Sequence, residues 1–171
     1  LKTIRSVPMV LRGALAAVDD LEVRGEVFMP RAEFAALNRA LEEAGEATFA
    51  NPRNAAAGAV RQKDPAVTAR RPLDIFLYHV SRADALAFET YWETLEALRA
   101  AGFKTNPRAE RCDALDAVVR YCERLERERD ALGYDADGVV VKVDSLGQQR
   151  RLGSTTHHPR WAIAFKFAAR Q

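Results

Sequence analysis

Two lysines stand where lysine is costly. Lys142 lies near the end of the alternating run Ala136-Asp-Gly-Val-Val-Val-Lys-Val143, and Lys166 follows twenty-four residues later in Trp161-Ala-Ile-Ala-Phe-Lys-Phe167. Each run has the period of a strand. Val139, Val141 and Val143 oppose Val140 and Lys142, while Trp161, Ile163, Phe165 and Phe167 oppose Ala162, Ala164 and Lys166. Read as inner strands, the two runs each place one cation in a half-buried sheet. Desolvating an unpaired ammonium costs several kcal/mol or shifts its pKa. An anion is therefore expected to meet the pair, and phosphate is the simplest one. The plain alternative is that each stem runs along a sheet edge to water.

Neighbouring segments supply candidate partners for that phosphate. Leu21-Glu-Val-Arg-Gly-Glu-Val-Phe28 alternates as well, with Leu21, Val23 and Val27 on one face and Glu22, Arg24 and Glu26 on the other. Gly25 in its middle marks close approach of a ligand or of another backbone. In Phe49-Ala-Asn-Pro-Arg-Asn-Ala-Ala-Ala-Gly-Ala-Val-Arg-Gln62, Asn51-Pro52 is a turn signal and Arg53 and Arg61 lie eight residues apart. A helix from about Asn54 would carry the small-residue run Ala55 to Gly58 against a neighbouring backbone. Small residues flanked by arginines suit a surface that faces phosphate.

These blocks, with the opening Leu1-Lys-Thr-Ile-Arg-Ser-Val-Pro8, Arg70-Arg-Pro-Leu73 and Pro159-Arg-Trp-Ala-Ile-Ala-Phe-Lys-Phe167, carry a resemblance. The chain resembles, nearly end to end, the nucleotidyltransferase (adenylation) domain of bacterial NAD-dependent DNA ligases. One departure matters. The family's nucleophile is the lysine of a Lys-x-Asp-Gly motif upstream of the Thr-Ile-Arg segment, and these 171 residues contain none. Asp135-Ala-Asp-Gly138 lacks the lysine, and Lys2 is followed by Thr3, Ile4 and Arg5. The expectation is a partial adenylation domain over residues 1–171, inactive alone. It would lack the family's N-terminal nicotinamide-mononucleotide segment and its oligonucleotide-binding barrel, zinc-finger, helix-hairpin-helix and BRCT regions, so zinc belongs outside it.

The resemblance implies a reaction in three steps. A lysine nitrogen attacks the adenylyl phosphorus of NAD and expels nicotinamide mononucleotide; the 5′-phosphate of nicked double-stranded DNA takes the AMP; the 3′-hydroxyl displaces it. Fixed cations and magnesium, set where charge develops on phosphate oxygens, supply the stabilisation such steps need. By the same resemblance Glu26 and Arg129 hold the adenosine part, and Lys142 and Lys166 contact the AMP phosphate and lower the nucleophile's pKa. Arg53 and Arg61 meet the phosphates of adenylate and nick, and Asp137 assists with magnesium or orientation. Strict alternation puts Asp137 on the face opposite Lys142 unless the strand begins with a bend. Taken without the resemblance, Glu26 is an edge-strand surface carboxylate and Arg129 a solvated helix arginine. Val139, Val141 and the Trp161 to Phe167 aromatics are expected in the core either way.

Net charge of +2 conceals a segregation. Residues 51–82 carry six basic and two acidic side chains and residues 138–171 six and one, whereas residues 83–137 carry eight and thirteen. Basic charge coincides with the motif-bearing segments, as a polyphosphate or nucleic-acid surface requires. Cys112 and Cys122 lack a Cys-x-x-Cys spacing and read as reduced structural thiols, and His157 and His158 have no cysteine near enough to suggest zinc. No apolar run approaches the ~20 residues of a membrane span, and nothing at the start of the chain has the pattern of a signal sequence. A cytoplasmic, monomeric protein without membrane contact is expected.

The elements that must hold these groups are legible in part. Strands are expected over roughly 21–28, 73–80, 138–143 and 161–167. A helix with Pro30 at its first position would bury Phe34, Leu37 and Leu41. A second, from about Asp84 to Ala101, carries Phe88, Trp92, Leu95 and Leu98 before Gly102. A third, capped by Asp113, carries Leu115, Val118, Val119, Cys122 and Leu125. Strands interrupted by peripheral helices without regular alternation predict an α+β fold with mostly antiparallel sheets, and the resemblance implies the ATP-grasp-like nucleotidyltransferase version. Two other classes remain open. A non-catalytic nucleic-acid-binding domain would bind DNA in a salt-dependent way without a nucleotide pocket. An ATP-dependent nucleotidyltransferase is the other, and the Asn51 to Gly58 loop, associated with the NAD-dependent branch, speaks against it.

Overall fold

The computed structural model describes residues 2–83, 86–156 and 158–169. The helix start expected near Asp84 and the reading of His157 lie outside them. β1 (Leu21–Phe28) pairs antiparallel with β2 (Asp74–Ala83), and β3 (Gly138–Lys142) pairs antiparallel with β4 (Ala162–Lys166). Among the described residues six helices accompany the two sheets: α1 (Arg31–Glu43), α2 (Pro52–Val60), α3 (Pro65–Ala69), α4 (Tyr91–Ala100), α5 (Leu115–Glu128) and α6 (Leu146–Leu152). Short 3-10 turns cover Gly13–Ala17 and Arg129–Leu132. The chain is α+β with antiparallel sheets, as its strand and helix patterns predict.

Alternation in β1 and β2 builds the main core. Val27 faces Ile75, Gly25 faces Leu77 and Val23 faces Val80. Ile75 and Leu77 are buried together with Ile4, Leu15 and the α4 residues Leu95 and Leu98. A Cβ on Gly25 would sit 2.5 Å from the Phe76 carbonyl oxygen and 2.8 Å from Leu77 Cδ1. Of the two readings of Gly25, close approach of a backbone is the one observed. Beside it the register jumps from Gly25 opposite Leu77 to Arg24 opposite His79, which leaves Tyr78 in a bulge.

A second core joins α1 to α2. Met29, Ala55 and Ala56 are buried against Phe34, Leu37 and Phe49, so the small-residue run of α2 packs closely. Asn38 locks this corner, its amide donating to the Phe49 carbonyl at 2.9 Å and its carbonyl accepting from the Phe49 N–H at 3.0 Å. Asn51 does more than turn the chain: its side chain accepts from the Asn54 N–H at 2.8 Å and caps α2, with Pro52 inside the first turn.

Three local expectations change. Pro30 is the N-cap of α1 rather than its first residue. α5 starts after Ala114, and no side chain caps it, so Asp113 does not fill the role its type suggests. α4 begins at Tyr91 because Thr90 and Glu93 form a capping box there. Glu93 accepts from the Glu89 and Thr90 N–H groups, and those bonds, Glu89 first, hold its carboxyl below the usual range. Phe88 consequently lies outside the helix, although it still packs on the core.

The largest difference concerns β3 and β4. They form a two-stranded ribbon, so neither is an inner strand among the described residues. Ile163 is 69% exposed and Phe165 39%, so of these residues expected in the core the first stands largely in water and the second partly. A period of two identifies a strand but is blind to whether a third strand or a covering layer is present.

Candidate functional site

Register places the two lysines. Gly138 faces Lys166, Val140 faces Ala164 and Lys142 faces Ala162 across the ribbon, and directly opposed residues share a face. Lys142 and Lys166 therefore project from the same face, four positions apart, or ~13 Å along the strand. Val140 and Ala164 lie between them and are exposed. Pairing this close needs glycine at position 138, where a Cβ would sit 2.2 Å from the Phe165 carbonyl oxygen.

The two ammonium groups have different surroundings. Lys166 is exposed and has no hydrogen bond or ion pair among the described residues. Lys142 is half-buried, and its Nζ donates to the Tyr91 hydroxyl at 2.6 Å. The same nitrogen lies 4.3 Å from the Tyr91 ring centroid and 4.9 Å from that of Tyr78. Burial lowers the Lys142 pKa to about 8. No carboxylate among the described residues pairs with it. The Tyr91 phenol, whose pKa burial and the neighbouring Tyr78 hydroxyl raise, stays protonated and donates to the Tyr78 carbonyl.

Tyr91 is brought to Lys142 by the junction between α4 and the end of β3. The Tyr91 N–H donates to the Asp144 carbonyl at 2.7 Å, the Trp92 N–H to Asp144 Oδ1 at 2.8 Å, and the Leu146 N–H to the Glu89 carbonyl at 2.9 Å. The first residues of a helix carry unpaired N–H groups, and the segment after β3 satisfies them. Tyr78 and Tyr91 are the contributors that sequence reasoning missed. A sign of Tyr78 was available: the apolar positions packed in the core run Ile75, Leu77 and then Val80, a break in the period of two that marks the bulge. Tyr91 left no such sign, being 51 residues from Lys142.

At the Lys166 end, Arg53 Nη1 lies 3.9 Å from Asp137 Oδ2, both side chains well exposed. The Phe167 N–H donates to the Asp137 carbonyl at 2.9 Å, extending the pairing past Gly138. Asp137 thus sits one residue from the position facing Lys166, with its carboxylate turned toward Arg53. Arg61, the C-cap of α2, is exposed with no side-chain partner among the described residues. Glu26 is exposed on β1 opposite Phe76, and its carboxylate has no partner among the described residues either. Phe28, Phe76 and Tyr134 cluster on this same face of the sheet, with ring centroids 4.6 to 5.5 Å apart.

Arg129 is engaged structurally: its Nη1 donates to the Ala168 carbonyl at 2.8 Å, just past β4. Arg31 braces the same region, donating through Nε to Asp135 at 2.6 Å and through Nη1 to the Asp130 carbonyl at 2.9 Å. These two arginines, Asp135, Asp137 and Phe167 line an open pocket of about 350 Å³ beside the start of β3. Among the described residues no group of histidine, cysteine, aspartate and glutamate is gathered to hold a metal ion, and no helix is long and apolar enough to cross a membrane.

The family model described as the NAD-dependent DNA ligase adenylation domain matches residues 1–170. A DNA ligase of Roseiflexus castenholzii is 50% identical over 182 residues, covering 100% of this chain and 25% of that protein. Similar DNA ligases occur in Chloroflexus aurantiacus, 48% identical over 180 residues, and in Anoxybacillus flavithermus, 50% over 171; each alignment covers 100% of this chain and 25% of the relative. The chain spans about a quarter of the length of these relatives.

Proposed function

The chain belongs to the adenylation-domain family of NAD-dependent DNA ligases, and from that premise we propose that it supplies the phosphate-binding part of a site where an adenylyl group is taken from NAD and passed to the 5′-phosphate of a nick in double-stranded DNA. One observation carries the reading: Lys142 and Lys166 share one face of the β3–β4 ribbon, with exposed Val140 and Ala164 between them. An AMP phosphate seated there is within reach of the ammonium groups at the ends of both flexible stems. Its charge also relieves the desolvation that depresses Lys142.

The remaining groups take places around that phosphate. Tyr78, 41% exposed beside Lys142, offers a ring on which a base can stack. Glu26 offers a free carboxylate to ribose hydroxyls. Arg53 and Arg61 on α2 face the phosphates of the nick. Arg129 contributes by fixing the end of β4, on which Lys166 sits. The nucleophile of this scheme is a Lys-x-Asp-Gly lysine, which these residues do not contain. Magnesium is part of the scheme, but the described side chains do not build a site for it: Asp137, the carboxylate beside the ribbon, is turned to Arg53. A magnesium ion that keeps its waters and binds phosphates needs no such cage.

The test is a titration of the 171-residue chain with AMP, NAD and adenosine, followed through the lysine ammonium and ε-carbon resonances. AMP should perturb Lys142 and Lys166 and bind more tightly than adenosine. Lys142→Ala should cost roughly ten- to a hundredfold in AMP affinity, the worth of one charge-assisted contact. Equal binding of AMP and adenosine, or DNA binding with no nucleotide binding at all, would remove the phosphate assignment.

A further inference from the structure

We propose that Tyr91 is a positioning residue for Lys142, acting through its phenol oxygen. The inference deepens the reading above, because it concerns how the ammonium that meets the phosphate is held before the phosphate arrives. Tyr91 belongs to α4 and reaches the site through Lys142 and the Tyr78 carbonyl. Its hydroxyl proton is committed to the Tyr78 carbonyl, which the bulge turns out of the β1–β2 ladder. With the proton spent there, the phenol oxygen presents lone pairs to its other neighbour, and Lys142 Nζ lies 2.6 Å from it.

The geometry gives this contact a direction. An ammonium has three donors. One is taken by the phenol oxygen, and the rings of Tyr78 and Tyr91 flank the nitrogen at 4.9 and 4.3 Å. The half-buried cation is thereby held by neutral groups while no anion is bound. A carboxylate in Tyr91's place would neutralise Lys142 and compete with phosphate, whereas a neutral acceptor holds the nitrogen and leaves its charge for the ligand. The capping junction of α4 with Asp144 keeps the phenol in place. His79 on β2 feels the Lys142 charge as well; burial first, then the Lys142 and Arg24 charges, lowers its pKa.

The experiment reads the lysine directly, without nucleotide, so it is separable from the nucleotide-binding proposal. Lysine-labelled chain is titrated by NMR, with the Lys142 signal assigned by its loss in Lys142→Ala. The wild-type midpoint is expected at about 8. Tyr91→Phe keeps the ring and removes the oxygen, and should lower the midpoint by about one further unit, the worth of a hydrogen bond to a charged group. Tyr78→Phe, which removes a hydroxyl the contact does not use, should leave it in place. A Lys142 midpoint unchanged in Tyr91→Phe, or moved equally by both variants, overturns the proposal. Should Tyr91→Phe fail to fold, the Tyr91 ζ-carbon of the wild-type chain is followed instead. It should shift through the same midpoint as Lys142, and a flat response there overturns the proposal equally. AMP added afterwards asks the separate question: wild-type Lys142 unmoved by AMP would sink the phosphate assignment while leaving Tyr91's role standing.

Discussion

Lys142 Nζ lies 2.6 Å from the Tyr91 hydroxyl, and no carboxylate among the described residues pairs with that charge. The arrangement should cost stability, with a definite pH signature. Lys142 has an ordinary value of 10.5 and is lowered to about 8 by burial. Between those values the unfolded chain binds a proton that the folded chain has released, so unfolding free energy rises with pH across that window. Relative to Lys142→Met, wild type should therefore be less stable at pH 7 by on the order of 1 to 3 kcal/mol and should close most of that gap by pH 10. Urea unfolding of both proteins at the two pH values checks this; a gap that is constant with pH would mean the ammonium is solvated.

Gly138 should tolerate no side chain. A Cβ there meets the Phe165 carbonyl oxygen at 2.2 Å and Lys166 Cα at 3.0 Å, and both are backbone atoms that move only if the strands part. Gly138→Ala should separate the start of β3 from β4, displacing Lys166. Hydrogen exchange of the β4 amides is the readout. Protection at Phe165 and Phe167, whose amides point at β3, should fall by at least tenfold, or about 1.4 kcal/mol, while α4 amides stay protected.

Arg31 should matter as a brace. Its guanidinium reaches Asp135 and the Asp130 and Arg129 carbonyls with its side chain only 29% exposed. Arg31→Ala should cost about 2 kcal/mol in urea unfolding. Arg31→Lys should recover little, because a single ammonium cannot span the same fork of acceptors. Full rescue by lysine would reduce the contact to simple charge.

In a longer ligase chain containing these residues, Lys142 and Arg61 should separate by step. Lys142→Ala removes charge where the adenylyl group reacts and should slow self-adenylation roughly ten- to a hundredfold. Arg61→Ala should spare that step and slow transfer to nicked DNA. Single-turnover measurement of each step distinguishes them, and equal losses at both steps would contradict the division.

The parts of this molecule legible in its sequence are those governed by local period. β1 falls on Leu21–Phe28 as its alternation predicts, and the α4 stripe of Leu95 and Leu98 is buried as its spacing predicts. Facing arithmetic also put Lys142 and Lys166 on one face each, and the register that makes it the same face came only with pairing. Long-range features were not legible. The cage of Tyr78 and Tyr91 depends on a bulge and on a helix start docked 51 residues away, and Arg129's bond to Ala168 spans 39 residues. Exposure of Ile163 and Phe165 escaped for a different reason. Hydrophobic alternation records which residues would be buried by a covering layer and carries no information on whether one is present.

On the proposed reading, these residues bind and orient the adenylyl phosphate but contain no group that attacks it. Incubation of the 171-residue chain with adenine-labelled NAD and magnesium, followed by acid precipitation, tests it most directly. No acid-stable label should appear on the chain as it stands, because the covalent intermediate requires a positioned nucleophile. An otherwise identical chain extended upstream through a Lys-x-Asp-Gly segment of a relative should become labelled, and Lys142→Ala in that longer chain should suppress the label. Stoichiometric labelling of the unextended chain, or labelling of the extended chain that is indifferent to Lys142, would contradict the claim.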